Sequence, residues 1–421
     1  MKYALRACLL AVLALCLAAL LGCGGPAPQP SETRLTDAPT TAPVPATQPA
    51  APSDEATDPA ETALTPETEP APETEPAPET EPLPTYPQME PRDTRIWMDG
   101  TAAGTWTLPQ GGCYVRLAEA AEAGDGSLEV GDQGVTLTAW GQTLRFAGDG
   151  TEAPAGRVLP PVVFDGTEWY GLTGELLPAL GLTELADPEL DQLYYTKIVR
   201  NDRIPTGYRV PVLMYHAVSD DLWGISELFV SPSRLEEQLQ ALVEGGYTAI
   251  TFEDLDRIDQ IEKPVMLTFD DGYDDNYTNL FPLLQKYNVK ATVFMIVNDI
   301  GKNHKLTTEQ IQEMAASGLV SFQSHTMSHG YLTEMSGTRL EAEHADSIVA
   351  LARITGKQPF VLCYPSGRHA GFTREVTARY YEFGLDMSGP CYVTGDAPYQ
   401  IYRYYISRYT SVETFLKDLS G

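Results

Sequence analysis

Apolar positions along the 421 residues fall into four rhythms, and each predicts a different kind of structure. Ala7 to Leu21 is an unbroken apolar run behind Lys2 and Arg6. It has the length of a signal-peptide core and is short for a membrane span. From Gly24 to Pro91 there is no apolar period. The stretch is Pro, Thr, Ala and Glu, and Glu67-Thr68-Glu69-Pro70-Ala71-Pro72 recurs with a period of six residues. Such a segment cannot bury enough apolar surface to offset its chain entropy, so it is expected to stay extended. At about 3.1 Å per residue it would carry whatever follows on the order of 100–200 Å from its start.

The third rhythm, from about Arg92 to Asn201, is short alternation, as in Val135–Trp140 and Gln142–Phe146, punctuated by Asp149-Gly150 and Asp165-Gly166. It predicts short strands, interrupted by helices near Val115–Ala123 and Leu172–Leu180: an α+β module. The fourth begins at Arg209. Apolar strand-like runs at Val210–Tyr215, Val265–Phe269, Ala291–Val297, Val320–Gln323, Phe360–Tyr364 and Ile401–Ile406 alternate with amphipathic stretches. Those stretches predict helices from Ser231-Pro232 to Gly245, near Tyr277–Tyr287 and Thr308–Ala316, over Thr338–Ile354, from Thr373 to about Glu382 and over Val412–Leu419. Strands and helices in alternation mean an α/β fold with a parallel sheet. Seven or so units predict a small (β/α) barrel, with its chemistry at the C-terminal strand ends. The expected divisions are a signal at 1–22, a tether at 23–91, the accessory module at 92–201 and the barrel at 202–421.

Charge changes this picture in one respect. The net charge is −30, which argues against a nucleic-acid partner bound through a broad basic surface. Gly24 to Pro91 alone holds 13 acidic residues against one basic, and 18 of the 33 prolines. The remaining ~330 residues have ordinary composition and suffice for two cores. A monomer is expected.

The apolar run ends Leu20-Leu21-Gly22-Cys23, which resembles a bacterial lipoprotein signal, with Cys23 lipidated. An uncleaved anchor is the alternative, and both place the rest of the chain outside the cytoplasm. Cys8 and Cys16 would leave with the signal. Of Cys113, Cys363 and Cys391, export permits a Cys363–Cys391 disulfide, although free thiols are the default.

The polar residues that stand out fall at strand ends. Met266-Leu267-Thr268-Phe269 runs into Asp270-Asp271-Gly272. Adjacent carboxylates repel unless something positive sits between or beside them. Val320-Ser321-Phe322-Gln323 runs into Ser324-His325, with His329 four residues on, a spacing expected to put both imidazoles on one face of a helical turn. Two histidines and a carboxylate leave open positions on a divalent metal, as a catalytic site requires.

Thr268-Phe269-Asp270-Asp271-Gly272-Tyr273 and His325-Thr326-Met327-Ser328-His329 resemble the first two motifs of the polysaccharide deacetylases, carbohydrate esterase family 4 with its NodB-homology domain. Pro211–His216, Lys290–Phe294 and Tyr364-Pro365-Ser366-Gly367 extend the resemblance, which covers about half the chain. It implies that Asp271, His325 and His329 bind a divalent metal: zinc first, with cobalt, nickel or manganese compatible. It implies that Asp270 is the general base. The family's late histidine motif is missing. Members that begin with a Met-Tyr-His strand bring the acid early, which points to His216 on the far side of the acetamide from Asp270. A packed strand-end histidine is the other reading of His216.

The family's third motif carries an arginine where this chain has Cys363. Arg403 on the last strand stands in for it or forms a structural salt bridge. The Tyr364 backbone amide is placed to help hold the oxyanion. His304 and His369 lack motif context, and His344 is expected to be solvated. More loosely, Tyr114–Ala120 and Trp169–Leu172 resemble the copper amine oxidase N-terminal-like module. With no histidine in that segment, it implies a spacer or wall-binding part rather than copper chemistry.

The implied function is hydrolytic N-deacetylation of an extracellular glycan, peptidoglycan or poly-N-acetylglucosamine, by a lipid-anchored enzyme. The competing readings are an O-acetyl esterase such as an acetylxylan esterase, an iron oxygenase with its two-histidine, one-carboxylate site, and a non-catalytic glycan-binding lipoprotein.

Overall fold

A computed structural model describes residues 86–421 apart from 132–133, 148–161, 188, 191, 388 and 421. The expected signal, Cys23 and nearly all of the tether lie outside the described residues. No helix among the described residues is long and apolar enough to cross a membrane.

The first described strand, Glu90–Met98, starts inside the stretch expected to be tether. It lies within a seven-stranded sheet, next to Thr101–Leu108 on one side and Gln192–Lys197 on the other. A separate three-stranded sheet spans Ser127–Gly131, Gly134–Ala139 and Gln142–Ala147. Helices at Leu117–Ala123 and Thr173–Ala179 bury Leu117, Leu176 and Leu177 in a core with Ile96, Met98, Val115, Leu137 and Tyr195.

The larger sheet is α/β and parallel throughout. Its strands are β1 (Val212–Tyr215), β2 (Thr248–Ile250), β3 (Pro264–Phe269), β4 (Ala291–Met295), β5 (Val320–Ser324), β6 (Val361–Cys363), β7 (Phe383–Leu385) and β8 (Tyr404–Tyr405). Their spatial order is β7-β6-β5-β4-β3-β1-β8, with β2 beside the start of β3. Every residue of β3 and β4 is buried, as in a parallel sheet covered on both faces. The expected strand at 210–215 is interrupted at Pro211, which has no N–H to give to a ladder. The sheet curls until the last segment touches both edges. Ile401 bridges Leu385 in β7, while Tyr404 and Tyr405 pair with Leu213 and Met214 in β1. Only two residues of the expected 401–406 strand are regular, because that segment changes partner midway.

Helices α1 (Pro232–Glu244), α2 (Phe281–Tyr287), α3 (Thr308–Ala316), α4 (Gly337–Thr355), α5 (Gly371–Tyr380) and α6 (Val412–Ser420) follow the strands. Ser231 caps α1 by accepting from the Arg234 N–H, with Pro232 in the first turn. Thr307 and Gln310 form a reciprocal box at the start of α3. The aliphatic faces of α1, α2 and α3 meet β1, β3 and β4 in one core around Leu235, Leu239, Leu284, Ile311, Leu267 and Val293.

At the strand starts the smaller module is fastened to the barrel by polar contacts. Arg353, near the end of α4, forks onto buried Asp187 and also reaches Glu189 at 2.9 Å. Gln358 N donates to Thr196 Oγ1 at 2.8 Å.

Candidate active site

The two adjacent carboxylates leave β3 in opposite senses. Asp271 sits in the left-handed region at φ 73°, and Gly272 follows at φ 63°. The left-handed φ at position 272 favours glycine, and a Cβ there would press within 2.5 Å of the tip of Met295. The strained step at Asp271 aims its side chain away from its neighbour.

Asp270 is buried and held by Arg403. Two parallel bonds, NH1 to Oδ1 at 2.7 Å and NH2 to Oδ2 at 2.8 Å, join them. Arg403 is itself 2% exposed, and Thr268 Oγ1 and the Asp386 carbonyl take its other N–H groups. The second guanidinium N–H edge also touches Cys363 Sγ at 3.1 Å. The Arg403 guanidinium thus reaches Cys363 from the segment that joins β7 to β1. Burial alone would raise the Asp270 carboxyl, but the guanidinium outweighs it and holds the group well below the ordinary carboxylate range.

Asp271 turns instead to His325 and His329, each with Nε2 3.6 Å from Oδ1. These imidazoles do not share a helical turn. Residues 325–330 are loop, with Thr326 at φ 68° and His329 at φ 56°. Side-chain bonds replace the helical ones: Thr326 Oγ1 accepts from His329 N at 3.0 Å, and Glu343 accepts from Ser328 N at 2.9 Å. The four-residue spacing brings the rings together by a left-handed loop, with centroids 4.7 Å apart. His325 Nδ1 lies 2.8 Å from the Cys363 carbonyl, so that nitrogen carries a proton and Nε2 is the one that faces Asp271.

Among the described residues, two donor sets are compact enough for an ion: Asp271, His325 and His329, and Asp270, His325 and Cys363. The first fits. It offers a carboxylate and two imidazoles, one already oriented by a carbonyl. The second does not, because Arg403 covers both Asp270 oxygens and burial pushes the Cys363 thiol up, keeping it protonated.

His216, at the end of β1, lies on the same side as Asp270. Its Nε2 is 3.9 Å from Asp270 Oδ2, too close for an acetamide to pass between them. This corrects the expected arrangement across the substrate: base and imidazole border one another. Burial lowers the His216 pKa, overcoming the pull of Asp270 and Asp271. The Tyr364 amide is also corrected as an oxyanion donor. Its N–H donates to the Leu385 carbonyl at 3.0 Å in the β6–β7 ladder, and its hydroxyl to Tyr399 O at 3.2 Å.

His344 is not solvated: it is fully buried, with Nδ1 2.7 Å from Leu340 O and Nε2 3.1 Å from Thr377 Oγ1. His369 has both nitrogens engaged, by Asp386 at 2.6 Å and Arg374 at 2.9 Å. His304 stacks on Trp223 at 4.3 Å. Cys363 and Cys391 are free thiols. Lys305, which no motif flagged, donates to the Asp271 carbonyl at 2.9 Å and lies 3.9 Å over the Tyr273 ring.

A curled parallel sheet with carboxylates and imidazoles converging at its strand ends has the layout of a β/α-barrel enzyme. The polysaccharide deacetylase family profile matches residues 257–387. A Bacillus subtilis (strain 168) protein named for that family, YxkH, is 33% identical over 205 residues, 47% of this chain and 72% of its own length. On that match the chain belongs to the polysaccharide deacetylases, which are hydrolases. The poly-β-1,6-N-acetyl-D-glucosamine N-deacetylase of Staphylococcus epidermidis is 28% identical over 177 residues, 38% of this chain and 60% of that enzyme. The solved Streptococcus pyogenes deacetylase PplD, in complex with acetate, aligns at 29% identity and TM-score 0.48, over 51% of this chain and 100% of that one.

Proposed function

We propose that the protein removes acetyl groups from an N-acetylated extracellular glycan, using a divalent metal at Asp271, His325 and His329. The observation that carries this reading is the separation of the two β3 carboxylates: one faces two imidazoles, and the other is buried against an arginine. A metal held by the first group would supply Lewis acidity toward the amide carbonyl and acidify a water. Asp270 accepts the proton of the attacking water, with Arg403 fixing the carboxylate plane. His216, bordering Asp270, gives a proton to the departing sugar amine. The products are acetate and a free amino sugar, one water consumed per bond.

A poly-N-acetylglucosamine substrate is favoured over acetylxylan by the likeness to the staphylococcal enzyme's named substrate, with peptidoglycan the other N-acetylated candidate. Zinc is the proposed ion. We further propose that the chain is exported, and held to the membrane through a lipid on Cys23.

The test is acetate release from poly-N-acetylglucosamine, peptidoglycan and acetylxylan side by side, with and without chelator. Release from the first two, lost with chelator and restored by zinc, is the expected result. Release from acetylxylan alone makes the enzyme an O-acetyl esterase. No release from any of them, with metal bound, sinks the catalytic reading.

A further inference from the structure

We infer that Asn276, with Asp275 and Asn279, forms a clamp whose task is to position His216 for proton donation. The inference rests on the proposed role of His216.

Three side chains from one turn of chain reach across to a single stretch of backbone. Asn276 Nδ2 donates to the His216 carbonyl at 3.1 Å. Asp275 Oδ1 accepts from the Val218 N–H at 2.9 Å. Asn279 Nδ2 donates to the Val218 carbonyl at 2.7 Å. Asn276 also donates to Asp275 Oδ1 at 3.0 Å, so the first two members are tied together. Asn276 is fully buried and Asp275 is 5% exposed. The turn itself is the wide π-type coil Asn276–Leu280 leading into α2. Such a wide turn is costly and recurs at functional sites.

What the clamp holds is informative. His216 stands between β1 and the two-residue strand Ala217–Val218, where the main sheet has ended. Its Nδ1 is buried and has no hydrogen-bond partner among the described residues. Among the described residues no hydrogen bond steers the imidazole from behind, only the edge of Tyr405 at 6.3 Å, unlike His325, whose Nδ1 meets a carbonyl. The ring is carried on this stretch of backbone, and the clamp fixes it from the His216 carbonyl through Val218. Positioning errors of about 1 Å cost a reacting group on the order of 10²-fold.

The experiment compares two substrates in Asn276→Ala and Asn279→Ala, the second being at a half-exposed position where folding is less at risk. Each is assayed on the N-acetyl glycan and on an aryl acetate, with metal content and Tm measured. A poor amine leaving group needs the proton, whereas a phenolate leaves unaided. The expected result is a fall in kcat of about 10–100-fold on the amide. On the aryl ester kcat should hardly change, and KM and metal content should stay as in the parent. Equal losses on both substrates, or a lower Tm with kcat unchanged, would show a merely structural role and overturn the inference. His216→Ala is the control. If it shows the amide-selective loss and the asparagine variants do not, only the clamp falls. If His216→Ala itself is unselective, the acid assignment falls and takes the clamp with it.

Discussion

The base of the barrel, where its strands begin, and the mouth, where they end, are built from the same sheet by different means. At the base, each ion pair keeps its cation in reach of water: part-exposed Lys290 with buried Asp254 at 2.9 Å, Lys197 with Asp256 at 2.7 Å, and part-exposed Arg353 with buried Asp187. Asn288, a left-handed residue there, closes the end of α2, where asparagine is a common cap. At the mouth, Asp271, His304, Thr326, His329 and Ser366 all take left-handed backbone, on the loops after β3, β4, β5 and β6. Thr326 is β-branched, which makes that conformation costly. Asp270, Arg403, His325, Asp275 and Asn276 are buried there despite their polarity. An ion pair buried at both ends, Asp270 with Arg403, and left-handed backbone at a β-branched residue persist only where surrounding structure over-determines them, and both fall at the mouth.

The comparison can be broken most forcefully at the mouth. His325→Ala or His329→Ala is expected to lose most bound metal and nearly all activity, read by elemental analysis and acetate release. Full metal occupancy in His329→Ala would dissolve the ligand assignment.

Next comes the buried pair. Asp270→Asn should keep the metal and lose activity by a factor of roughly 10²–10⁴. Arg403→Met should leave a buried carboxylate unpaired, at a cost of about 3–5 kcal/mol in denaturant unfolding. The sign with pH is fixed by the lowered Asp270 pKa. The pair stabilises the fold above the ordinary carboxylate value, near pH 4, and that contribution is lost as pH falls through the lowered native value. In Arg403→Met the acid-side loss of activity should begin at higher pH. An unchanged acid limb would mean that Arg403 does not tune the base.

Arg353→Ala at the base sharpens the contrast from the other side. Tm should fall by about 2–4 °C for each kcal/mol lost, while kcat and metal content hold. A large fall in kcat would show that the two ends are coupled.

The smallest effect is expected at Asp275, whose pKa burial pushes up to about 6. Between about pH 4 and 6 the folded protein then binds more protons than the unfolded one, so stability falls as pH rises through that window. Asp275→Asn keeps an oxygen for the Val218 N–H and should remove that slope, as seen in urea midpoints at the two pH values.

What the sequence disclosed follows the same division. Asp270, Asp271, His325 and His329 are legible because they sit within a few residues of unmistakable apolar strands. Arg403 was half legible: its strand was visible, but only the fold puts its guanidinium beside Cys363. His216 and Arg403 both lie outside the residues matched by the family profile. His344 was misplaced because the inward face of α4 also carries Glu343 and Ser347, so apolar period alone cannot find it. Lys305 was invisible, since it reaches Asp271 from a loop with no pattern of its own. The helical geometry expected for His325 and His329 failed because left-handed Thr326 and His329 have no sequence signature.

Arg403 also has a temporal meaning. It arrives on the segment that joins β1 to β7, the last piece of the sheet in chain order. As a chain emerges from its N-terminal end, Asp271, His325 and His329 are all present before the guanidinium that orients Asp270. Until that segment docks, Asp270 lacks the guanidinium that fixes its carboxylate plane, so the last residues to join the sheet are the ones that complete the mouth.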